Sequence, residues 1–182
     1  MRTPILALIL VCGCASASPP TSETPSSDRI LGVNNQTGEV LHTQASVGPV
    51  ATSIHAPFGA VWAGLPDVYN SLGIELTLVD PPTGTVGNRS FIRSRTLGGK
   101  RLSAYFDCGS SMTGMRADEG RMIVSAVSKA APGADGQTSL ATTVSGAVQT
   151  NEGASAQTIP CASTGTLEET IRSAVARRTG GT

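Results

Sequence analysis

Phe58, Val61, Trp62, Leu65, Val68, Tyr69 and Leu72 follow one another at intervals of 3, 1, 3, 3, 1 and 3 residues. That period places all seven on one face of an α-helix. Pro57 lacks an N–H and suits a helix start, and Gly73 suits the C-terminal cap. Pro66 lies inside the pattern, where it removes one hydrogen bond and crowds the preceding turn, so the helix is expected to be kinked or broken near Leu65. An apolar helix face must be buried against a second layer. With three Phe, two Tyr and one Trp in the chain, that layer must be built from Val, Leu, Ile, Ala and small residues. The stripe reads first as core. A second reading makes Trp62 and Tyr69 part of a ligand box.

The second layer is a set of strands. Val50 to Ala56 precedes the helix, and Ile74, Leu76 and Leu78 alternate with Glu75 and Thr77 after it. Asp80-Pro81-Pro82-Thr83-Gly84 is a turn cluster. Residues 85–96, 101–108, 122–130 and 139–149 read as further strands, and 39–45 as a weak edge strand. Residues 109–119 and 150–163 read as loops. A last helix opens with Thr166 and Glu169 as a capping box. Leu167, Ile171, Ala174, Val175 and Arg178 share its face, and Arg172, Arg177 and Arg178 crowd its C-terminal end, where the macrodipole favours them. Gly180-Gly181 ends it. The expected fold class is α+β. A curved antiparallel sheet of about five or six strands carries a broken N-terminal helix and a long C-terminal helix. The space between sheet and last helix is either a cavity, lined by Trp62, Tyr69 and Ile171, or a solid core of Val86, Ile92, Val124, Val144 and Ile171.

The N-terminus is of another kind. One charge, Arg2, precedes an unbroken apolar run from Ile5 to Cys12. Such a run rises only about 12 Å as a helix, whereas a bilayer core takes about 20 residues. It therefore reads as the hydrophobic region of an export signal covering residues 1–13. Residues 15–29 are rich in Ser, Thr and Pro and cannot bury apolar surface, so 14–38 reads as a solvated tether ahead of one domain at 39–179. At about 3.1 Å per residue its extended 15–29 stretch reaches roughly 45 Å.

The run ends in Val11-Cys12-Gly13-Cys14, which resembles the bacterial lipobox. The resemblance implies cleavage before Cys14, a diacylglycerol thioether on its sulfur and an acylated amine, a firm membrane anchor. Ala15 after the lipidated residue, rather than Asp, implies the outer membrane, facing the periplasm. Plain cleavage after Ala15 or Ala17, giving a secreted or periplasmic chain, is the competing reading.

Removing residues 1–13 leaves 12 Lys+Arg against 13 Asp+Glu, so no global charge calls for nucleic acid. It also removes Cys12, and Cys14 carries lipid. Cys108 and Cys161 then form an even pair in an oxidising compartment, where a disulfide is expected. By the chain-entropy argument it stabilises by about 4 kcal/mol. Two free thiols, or a catalytic Cys108, are the competing readings. His42 and His55 lie far from both cysteines in sequence, so no metal site is expected.

The segment Ile54-His55-Ala56-Pro57-Phe58-Gly59-Ala60-Val61-Trp62-Ala63-Gly64-Leu65 resembles the opening of the START-like helix-grip family: a strand, Ala-Pro, then Val-Trp and Leu. It is also similar to the helix-grip domains of the lipoprotein component C of the outer-membrane β-barrel assembly machinery. There the likeness adds the lipobox, the tether and Leu72-Gly73-Ile74 entering a strand. By pattern it covers residues 50 to 178. It implies a sheet gripping the last helix, and it carries no catalytic motif onto these positions.

No nucleophile elbow, P-loop, dinucleotide fingerprint or zinc-protease motif is present. His55 reads as a solvated or capping residue, and Asp107 as one half of a surface ion pair with a base such as Arg101. No enzyme and no cofactor are expected. Arg89, Arg93, Arg95, Lys100 and Arg101 form a basic stretch without an intervening acid. Simple alternation puts 89, 91, 93 and 95 on one strand face, with Phe91 among three arginines. This patch is either a grip for an anionic or acidic partner or a solvated outer face. Two functions remain open. One is a non-enzymatic envelope lipoprotein that binds another envelope protein or supports assembly. The other is a START-like carrier of a small apolar ligand or lipid.

Overall fold

The computed structural model describes residues 32–33, 40–41, 51–150 and 157–181. The expected signal segment, Cys14, the Ser/Pro-rich stretch and most of the expected edge strand lie outside the described residues.

Two short strands, β1 (Gly32–Val33) and β2 (Val40–Leu41), pair antiparallel. Strand β3 (Ala51–Ile54) leads into helix α1 (Phe58–Ser71). Then come β4 (Leu78–Asp80), β5 (Thr85–Ser94) and a small hairpin of β6 (Thr96–Leu97) and β7 (Lys100–Arg101). A 3-10 turn over Leu102–Ala104 precedes β8 (Phe106–Asp107). Helix α2 (Arg116–Glu119) is a single turn. The long strands β9 (Arg121–Pro132) and β10 (Thr138–Thr150) form the middle of the molecule. Strand β11 (Gln157–Ser163) and helix α3 (Thr166–Thr179) close the fold.

The fold is α+β, with a mostly antiparallel, open sheet of seven strands in the order β4-β5-β9-β10-β11-β8. Strand β3 pairs with the start of β10, beside the same edge that β11 takes further along. The two long helices, α1 and α3, lie on one face. Along β9, Met122, Val124, Ala126, Ser128 and Ala130 point to them and are buried, the period of two that the sequence shows. Val61, Leu65, Val68 and Tyr69 of α1 and Leu167, Ile171 and Val175 of α3 are all 0 % exposed in the same core. Fully burying each such aliphatic side chain contributes roughly 1.5–3 kcal/mol. Arg178 of α3 bonds Asp67 of α1 at 3.0 Å and ties the helices at the surface.

Helix α1 corrects one expectation. It runs unbroken through Pro66, because the buried residues on both sides hold it to the core across the single missing donor. Its end is a Schellman motif. Gly73 is left-handed (φ 72°), Gly73 N–H donates to Asn70 O, and Ile74 N–H donates to Tyr69 O at 2.9 Å. The expected capping box on α3 does not form. Thr166 is already helical and Glu169 turns instead to Arg172 and Ser173. Ser163 Oγ accepts from Gly165 N–H and donates to Glu168.

Three other segments differ from the sequence reading. Residues 74–77 are not strand, although Ile74 is buried. Residues 101–108 are interrupted by the 3-10 turn, which lets Leu102, Tyr105 and Phe106 all face inward. Residues 157–163 are a strand and not a loop, so Cys161 sits in the sheet. There Cys161 forms a disulfide with Cys108, with Cα atoms 4.4 Å apart. The Met122 thioether packs against both sulfurs, at 3.7 and 4.0 Å.

Candidate functional site

The sheet has two faces of different character. On the helix side, Ser128 and Thr142 stand opposite each other on β9 and β10. Tyr69 of α1 reaches down to them, with its hydroxyl 2.8 Å from Ser128 Oγ, which lies 2.8 Å from Thr142 Oγ1. The three buried hydroxyls satisfy one another, as desolvated polar groups must. Burial pushes the Tyr69 phenol up to about 12, against the opposing pull of the Ser128 bond. Tyr69 and Ile171 are therefore packed core and do not line an open space. Val86, Val124 and Val144 fill the same interior. Trp62 is half-buried and stacks on Phe58 at 6.2 Å between ring centres.

The far face has no helix over it among the described residues. Its features depend on one irregularity in β5. Asn88 pairs with Ala126, but Phe91 pairs with Val124, so Arg89 and Ser90 together oppose Ser125. This is a β-bulge, one extra residue that changes which way the following side chains point. Asn88, 3 % exposed, anchors it: Nδ2 donates to Glu75 O at 2.7 Å and Oδ1 accepts from Ser90 N–H at 2.9 Å.

The bulge divides the basic stretch that simple alternation had placed on one face. Phe91 and Arg93 now lie in register with Val124 and Met122, on the helix side. Arg93 stacks 5.3 Å from the Phe91 ring centre and donates to the carbonyls of Ile92 and Gly73. It thus meets the negative end of α1 as a helix cap. Arg95 is left-handed (φ 67°) and turns the chain into the β6–β7 hairpin, where Lys100 and Arg101 are exposed. Arg101 is 3.8 Å from Asp118 with its side chain 81 % exposed, a pairing of little energetic weight. Ile92 also moves. It is 48 % exposed on the open face and does not belong to the core.

Of the six, Arg89 is the one left on the open face of β5 beside β9. It borders a groove of about 210 Å³ with Ile123, Ser125, Ser145 and Ala147, floored by Val124 and Gly146. Ser125 and Ser145 are direct cross-strand partners. Among the described residues, none of Arg89, Ser125 and Ser145 has a side-chain partner. The pairing sets a polar row, Arg89/Ser90–Ser125–Ser145, across three strands. One neighbouring row is Ile92–Ile123–Ala147–Pro160, and the other contains Gly87, Val127 and Thr143. The two serines escape a reading that stops at "alternating strand". Gly87-Asn88 inside a strand is the signal that marks the bulge.

The described residues contain no group of three or more His, Cys, Asp or Glu able to hold a metal, and no helix long and apolar enough to cross a membrane. No protein-family model matches the chain, and no curated protein matches it in sequence.

Proposed function

We propose that this chain is a non-enzymatic cell-envelope lipoprotein, a binding or assembly-accessory module held to the membrane through Cys14. The resemblance to helix-grip lipoprotein domains and the Val11-Cys12-Gly13-Cys14 sequence support this reading. The observation that carries it is the contrast between the two faces. The space under α1 and α3 is occupied by Tyr69, Val86, Val124, Val144 and Ile171, while the opposite face is open. A carrier needs an interior volume for its cargo. A binding module needs a free outer surface on a rigid frame, and the Cys108–Cys161 bridge stiffens this one. The partner would be another envelope protein.

Native mass spectrometry of the full-length protein, purified from envelope membranes, tests the choice. The expected spectrum shows the covalent anchor and no stoichiometric small molecule. A stoichiometric apolar ligand or lipid would replace this reading with the carrier. The anchor is checked separately: labelling with a fatty-acid analogue should vanish in Cys14→Ser, and persistent labelling would rule that anchor out.

A further inference from the structure

Arg89 is the one charged residue that lines the groove of the open face. It stands on β5, near one edge of the sheet and beside the groove, between the Ile92–Ile123–Ala147 row and the row of Gly87, Val127 and Thr143. The bulge that puts it opposite Ser125 is held by a buried asparagine making two hydrogen bonds. Bulges of this kind aim a side chain at the expense of ladder pairing. Ser125 and Ser145 add to the same groove two hydroxyls that have no partner among the described residues. Arg121 and Lys129, the other cations on this face of β9, stand four residues to either side of Ser125. At about 3.3 Å per residue each lies roughly 13 Å away along the strand.

From this arrangement we infer that the Arg89 groove is a docking site for an extended peptide segment of a partner protein. That segment bears one carboxylate flanked by apolar residues. The guanidinium takes the carboxylate as a two-pronged pair, and the serine hydroxyls donate to its remaining lone pairs. The flanking side chains lie on the Ile92–Ile123 row and on Val127. A membrane surface is the poorer fit, because headgroup binding relies on clusters of cations, and Arg121 and Lys129 stand apart from the groove along β9. The inference rests on the binding-module reading and names its surface.

The test uses the full-length protein in detergent and two labelled peptides of alternating valine and threonine. One has a central glutamate and the other a central glutamine. Fluorescence anisotropy should show the glutamate peptide binding about tenfold more tightly, the span expected for one charge-assisted pair. Arg89→Gln should abolish the difference, and Ser145→Trp, which fills the groove from the opposite strand, should abolish binding of both. Circular dichroism should show both variants folded. Equal binding of the two peptides, or a preference that survives Arg89→Gln, would overturn the site. So would Arg89-dependent binding to phosphatidylglycerol vesicles in place of the peptide. Photo-crosslinking in the envelope separates the two levels. A specific partner captured through residues away from the groove, unaffected by Arg89→Gln, would remove this site and leave the binding-module reading standing.

Discussion

The helix-covered face of the sheet and its open face are made by the same strands, yet they obey different rules. On the covered face the Tyr69, Ser128 and Thr142 hydroxyls partner one another, although the buried Tyr105 and Thr150 hydroxyls make no hydrogen bond. On the open face Arg89, Ser125 and Ser145 are left without one among the described residues. Apolar burial is therefore concentrated on one side and solvent-facing hydrogen-bonding capacity on the other. Mutations should separate the two.

The largest effect is expected from Ile171→Ala, which hollows the contact between α3 and the sheet. It should cost about 2–5 kcal/mol in urea unfolding. A cost no greater than that of an open-face substitution would break the comparison. The next effect is one of pH. The Tyr69 phenol ionises near 12 in the folded protein and near 10 when unfolded. A raised value means that the stabilisation is complete below pH 10 and fades as the pH rises through 12. The loss is about 3 kcal/mol at most, and Tyr69→Phe should flatten that slope in alkaline unfolding curves. Gly146→Ala should follow at about 1–3 kcal/mol. Its new methyl would fall 2.8 Å from the Phe106 ring and 2.9 Å from Met122 Cε, both on the covered side. Smallest of all, Ile123→Ser on the open face should shift the melting midpoint by the equivalent of about 0.5 kcal/mol or less.

Periodicity made the covered face legible. The stripe from Phe58 to Leu72, the Gly73 cap and the strands around Val124 and Val144 all follow from spacing alone. The C-terminal helix is equally plain, although its cap is not. Ser163, outside the expected helix, competes with Glu169 for the capping role, and the sheet decides between them. The α+β class and the Cys108–Cys161 bridge were within reach for the same reason: both depend on pattern and count. The candidate site was half legible. Arg89 stands out by its charge, but its neighbours are set by pairing between strands far apart in sequence. A single inserted residue in β5 undoes the alternation on which any such reading rests. Phe91, Ile92 and Arg93 change faces on that account, and Arg95 leaves the strand altogether through a left-handed turn. Strand β11 was hidden by Pro160, which argues against a strand by composition and is tolerated beside β10.

The disulfide has a mechanical consequence. Cys108 and Cys161 are 53 positions apart in the chain but 4.4 Å apart in space. A pull on the two ends of the molecule would pass across the sulfur–sulfur bond and bypass β9 and β10. At about 3.4 Å per residue, the fully stretched oxidised chain would be roughly 180 Å shorter than the reduced one. The two central strands would stay slack in a closed loop while the outer ones tore away. Under load, β9 and β10, which supply Ser125 and Ser145, belong to the segment that bears no tension, whereas β5, which carries Arg89, lies in the part that is pulled.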